Sequence, residues 1–109
     1  MAVYRLRFFF DYGAGVCFWA ADEATRQQFN YPVETDQLPL SSGLQATVEQ
    51  LIMDYDQSLN WNDPGGPSLW TQDEWQRFDK RVEQMLEAVR AELAEQFEIV
   101  DEYYRMSRA

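Results

Sequence analysis

Apolar and polar side chains alternate from Val3 to Phe10, with Tyr4, Leu6, Phe8 and Phe10 on one side and Val3, Arg5, Arg7 and Phe9 on the other. A period of two is the pattern of a half-buried strand. Asp11-Tyr12-Gly13-Ala14-Gly15 supplies a glycine-containing turn, and Val16 to Ala20 runs back, so a β-hairpin is predicted. Setting Phe10 against Val16 puts Phe8 opposite Phe18 and Leu6 opposite Ala20. The other side then sets Arg7 against Trp19 as a cation–π pair.

Beyond the hairpin the period changes from two to about 3.6. Asp22 is placed to cap a short helix through Phe29, which Asn30 and the Tyr31-Pro32 step end. Val33 to Leu40 reads as a loop, with Pro39 fixing its exit. Ser41 or Ser42 caps a second helix, whose stripe is Leu44, Val48, Leu51, Ile52, Tyr55 and Leu59. A third helix has the stronger signature. Thr71 and Glu74 form a T-x-x-E capping box, and Trp70 and Trp75 stand at the two positions of a hydrophobic staple. Trp75, Phe78, Val82, Met85, Leu86, Val89 and Leu93 hold one face of it, with Glu87 and Arg90 spaced to pair on the other.

Phe97 to Tyr104 closes the chain as a strand, with Phe97 and Ile99 turned to the core. Its Glu98 and Glu102 match Arg5 and Arg7 in charge, which places it beside the first strand, although pairing with the second stays open. The order β-β-α-α-α-β follows. Residues 1–109 are expected to form one α+β domain, a three-stranded sheet with helices packed on one face.

Charge divides this domain in two. Residues 1–30 balance three acids against three bases, whereas residues 31–104 set sixteen acids against four bases, a net of −12. Such a surface repels nucleic acid and anionic lipid and favours a basic protein partner. No apolar run is long enough to span a bilayer, so no membrane role and a cytoplasmic location are expected. Cys17 is the single cysteine, flanked by Val16 and Phe18, and reads as a buried core thiol.

The absences narrow the chemistry. The chain has no histidine, which removes the usual general base and the usual metal ligand. The five glycines fit neither the dinucleotide nor the P-loop spacing. No catalytic residue, metal or cofactor is expected, and the chain is read as a binding protein rather than an enzyme.

One stretch concentrates what is left. Residues 54–75 join the second and third helices and hold three of the four tryptophans. Trp70 and Trp75 are accounted for by the staple, which leaves Trp61 unassigned. Asp54 and Asp56 lie near the C-terminal end of the second helix, where the macrodipole disfavours negative charge. Asp54, Asp56, Asn60, Trp61, Asn62 and Asp63 are therefore the candidate partner-binding residues. Trp61 should also be more exposed than Trp75, since it lies outside both apolar stripes.

The segments RLRFFFDYGAGVCFWA, LPLS, YDQSLNWNDP and FEIVDEY, spread over nearly the whole chain, resemble a family of short acidic bacterial proteins of unassigned function. In kind, a small acidic α+β domain without catalytic groups is similar to the immunity proteins of bacterial toxin systems. That resemblance implies tight binding and blocking of a secreted toxin domain, and the acidic charge makes a basic one the expected partner. Two other readings stay open on the sequence: a small-molecule or sugar-binding module, extending to a weak carboxylate hydrolase, and a helix-mediated homo-oligomer.

Overall fold

A computed structural model describes residues 2–106. The hairpin forms as the alternation requires. β1 (Tyr4–Phe8) and β2 (Phe18–Ala20) pair antiparallel, with Phe8 opposite Phe18 and Leu6 opposite Ala20. Leu6, Phe8 and Phe18 are fully buried, and the intervening Arg5 and Arg7 face away from the core. Arg7 and Trp19 are register partners, but the cation lies elsewhere. Arg7 is drawn towards Glu102 and sits 5.1 Å over the Phe9 ring, while Trp19 stacks on Phe9 at 4.9 Å.

α1 (Glu23–Phe29) starts at Asp22, whose carboxylate accepts the Thr25 N–H at 2.9 Å. The loop expected from Val33 onwards is a correction. β3 (Pro32–Val33) pairs antiparallel with β2, and a 3₁₀ turn follows at Thr35–Gln37. The sheet therefore has four strands, not three, in the order β3-β2-β1-β4. Two residues are too few to show a period, and a proline reads as a breaker in sequence. At a sheet edge it is tolerated because its missing N–H is not needed.

α2 (Ser42–Gln57) is capped by Ser41 and buries Leu44, Val48, Leu51 and Ile52. It stops short of Leu59, so that residue packs outside the helix. α3 (Gln72–Leu93) carries both halves of the capping box, and the Trp70 and Trp75 rings meet edge to face at 4.7 Å. Thr71→Ala should lower stability by about 1 kcal/mol, because the Glu74 N–H loses its acceptor. A shift of the urea midpoint at unchanged slope is the measurement, and an unmoved midpoint would mean that the helix starts elsewhere.

β4 (Phe97–Asp101) lies parallel to β1, with Leu6 opposite Ile99. It is shorter than the strand expected through Tyr104. Tyr103 leaves the sheet line to enter the core, where its hydroxyl donates to buried Asp79 at 2.5 Å. Both charge matches form, Arg5 with Glu98 at 3.2 Å and Arg7 with Glu102 at 2.7 Å. Helices and sheet enclose one core, in which Leu6, Phe8 and Ile99 meet Val48 and Leu51 of α2 and Val82 and Val89 of α3.

Both free edges of the sheet are blunted. On β3, Pro32 has no N–H to offer. On β4, Glu102 donates to the Phe8 carbonyl and Gln96 accepts from Val3, so even positions face β1 and odd ones face outward. The outward carbonyl of Ile99 is taken by Arg90 at 3.0 Å, the arginine expected to pair with Glu87.

Candidate functional site

Ser58 is fully buried and fixes the point where α2 ends. Its hydroxyl donates to the Tyr55 carbonyl at 2.7 Å and lies 3.0 Å from the Tyr12 hydroxyl. Its carbonyl accepts from the Leu69 N–H at 2.9 Å and the Ser68 hydroxyl at 2.8 Å. The chain between leaves and returns at one point, the closed neck of a compact surface loop.

Inside this loop the polar residues hold the backbone. The Asn60 carbonyl accepts from Asp63 at 3.0 Å, and its side-chain oxygen accepts from the Asn62 N–H at 3.1 Å. The Asp63 carbonyl accepts from Gly66 at 3.0 Å. A side chain at Gly66 would meet the exposed Asp63 carboxylate, which would have to turn away.

Trp61 is 56% exposed and Trp75 only 4%, as the two apolar stripes imply. Its indole N–H donates to the Asp56 carbonyl at 2.9 Å, which satisfies one of the orphan carbonyls at the end of α2. The indole is thus exposed but held. Against it lies the turn of the hairpin. Gly13 adopts φ +77°, and a Cβ there would stand 3.6 Å from the indole ring. Tyr12 meets Trp61 edge to face at 6.3 Å and stacks on Tyr55 at 4.5 Å, and Tyr55 stacks on Phe10 at 4.7 Å. An aromatic ladder runs from the core to the surface tryptophan.

The three aspartates of the sequence reading separate. Asp54 turns to α3, pairing with Arg81 at 2.8 Å and accepting from Gln50 at 2.8 Å. Asp56 turns to the hairpin and accepts the Gly13 N–H at 3.1 Å. Asp63 is exposed on the loop. Asp56, Asn60, Trp61, Asn62 and Asp63 are thus brought together, while Asp54 belongs to the contact between α2 and α3. The hairpin turn adds Asp11, exposed, and Tyr12, half-buried. Sequence reasoning treated those two only as turn residues, and nothing in the turn's spacing pointed from Gly13 across 43 residues to Asp56.

Among the described residues, no three acidic or thiol side chains converge in a way that could hold a metal ion. Cys17 is fully buried, and desolvation pushes its thiol well above the ordinary range, so it stays protonated and inert. No described helix is long and apolar enough to cross a membrane.

A family model described as Serratia CdiI immunity protein-like matches residues 4–105. No curated protein matches the chain. The family match begins at β1 and ends beyond β4, taking in every strand, every helix and the loop that carries Trp61. The chain therefore belongs to the Serratia CdiI immunity protein-like family.

Proposed function

We propose that this protein is a non-catalytic cytoplasmic inhibitor that binds a basic cognate toxin through the surface around Trp61. Membership of an immunity protein family supports the toxin as partner. The observation that carries the location is the held, exposed indole of Trp61, with Asp56 bound to the hairpin turn against it, Asp11 on that turn and Asp63 on its own loop. Tryptophan is enriched among the few residues that dominate interface energetics, and an indole already fixed loses little freedom on binding.

The acids have a different role. None of the three is in an ion pair among the described residues, so their field is free to act on approaching Lys and Arg side chains. Such charges steer encounter more than they hold the complex. The Debye length of about 10 Å in 0.1 M salt makes that steering sensitive to ionic strength.

Stopped-flow mixing with a purified cognate toxin domain tests both roles. Raising salt should slow association while changing dissociation much less. Neutralising Asp11, Asp56 and Asp63 together should slow association about tenfold. Trp61→Ala should instead raise the dissociation rate roughly thirtyfold, the equivalent of losing about 2 kcal/mol at a hot spot. Association indifferent to both salt and the triple change would remove the acidic surface from the mechanism.

A further inference from the structure

An open cleft of about 290 Å³ lies beside the aromatic ladder, where the end of β1 meets α2 and the segment that follows β4. It is below the usual size of a cofactor pocket yet has room for one long side chain. Phe9, Tyr104 and Met106 give it apolar walls. Tyr55 also lines it and has both ring faces covered, by Phe10 and Tyr12, so it presents only its edge. Tyr104 is 65% exposed, an unusual amount of aromatic surface for a residue with no ring partner of its own among the described residues.

The polar part of the cleft is the Arg7–Glu102 pair, and its geometry is lopsided. Arg7 Nε and Nη2 both donate to the same oxygen, Glu102 Oε1, at 3.0 and 2.7 Å. Glu102 Oε2 has no hydrogen-bond partner among the described residues, and the guanidinium of Arg7 is laid against the Phe9 ring. The cleft therefore combines apolar walls, a spare carboxylate oxygen and an exposed phenol ring. A lysine or arginine meets all three, with its alkyl stem on the walls, its head on Oε2 and its charge against the face of Tyr104.

We propose that this cleft receives a basic side chain of the toxin, as a second anchor beside Trp61. The proposal rests on the toxin-binding reading above. Two further observations favour it. The cleft is continuous with the Trp61 surface through Tyr55 and Tyr12, so one partner can cover both. Main-chain docking along a sheet edge is hindered by Pro32 on one side and by Arg90 on the Ile99 carbonyl on the other, which favours recognition by side chains.

The test uses the whole chain with a purified cognate toxin domain. A photoreactive benzophenone amino acid in place of Tyr104 should cross-link to the toxin, and one in place of the exposed helix residue Ala91 should not. Glu102→Gln should raise the dissociation rate about tenfold, with thermal melting of the free protein used to show that the variant is folded. Toxin bound by the unaltered chain, but with no cross-link from position 104 or with dissociation unchanged in Glu102→Gln, would overturn the cleft and leave the Trp61 surface standing. Absence of any complex with the unaltered chain would overturn both.

Discussion

Phe8→Ala should lower the unfolding free energy by about 4 kcal/mol, measured as a fall in the urea midpoint with the slope unchanged. Phe8 is fully buried on a strand flanked by β2 and β4. Its ring meets Phe10 at 5.2 Å, Phe18 at 5.6 Å and Tyr103 at 6.0 Å. Those neighbours come from the hairpin and from the segment after β4, and each is tied down by its own contacts. The space left by the ring cannot be filled by collapse from one side, and a residual cavity is what raises the cost of such changes. Domains of this size are stable by roughly 5–15 kcal/mol, so the variant would fold but with little margin. Val3→Ala, at a position 59% exposed, should stay within about 0.5 kcal/mol. A loss below about 1 kcal/mol at Phe8 would show that the core repacks far more freely than this geometry allows.

Alkali should unfold the protein, and two tyrosines should be the cause. Burial and the hydrogen bond to Asp79 raise the Tyr103 phenol far above its ordinary value. Burial, with the neighbouring Tyr12, raises that of Tyr55. In the unfolded chain both would ionise near pH 10. Below that pH both states hold the protons, and the stabilisation is fully present. Above it the unfolded chain gives up protons that the folded chain retains, so stability falls as pH rises. Each phenol contributes a slope of up to about 1.4 kcal/mol per pH unit while the folded chain keeps its proton, and Tyr103, the more strongly shifted, keeps its own to higher pH. Absorbance at 295 nm should show Tyr55 and Tyr103 ionising only as circular dichroism records the loss of the fold. Tyr103→Phe should flatten the alkaline limb. If these two phenols ionised before any structural change, they would not be the switch.

Much of this architecture was written in side-chain periodicity. The hairpin register, the cap at Asp22, the capping box at Thr71 and the charge match between β1 and β4 all rest on residues close in sequence or on a regular repeat. β3 escaped because two residues cannot show a period and one of them is proline. The end of β4 was overdrawn because alternation continues through Tyr104, while Tyr103 is claimed by Asp79, 24 residues away on α3. The candidate site was legible in the same uneven way. Trp61 stood out by elimination, since every other tryptophan had a structural role. That Asp54 would turn to Arg81, and that Tyr12 and Gly13 of the hairpin turn would meet Trp61, depends on tertiary contacts that no local pattern carries.

The parallel pairing of β1 with β4 has a consequence in time. Tyr4 finds its partner at Phe97, some ninety residues later in the chain. At synthesis rates of about 5–20 residues per second, β1 waits roughly 5–18 s for it to be made. Throughout that wait one side of β1 is an open template for any other strand, and closure must then pay a long-range loop entropy. The cleft waits too, because Arg7 and Phe9 are made at the start while Glu102, Tyr104 and Met106 come from beyond β4. A nascent chain halted before residue 97 would therefore carry Trp61 without the cleft, which can form only as the last strand docks.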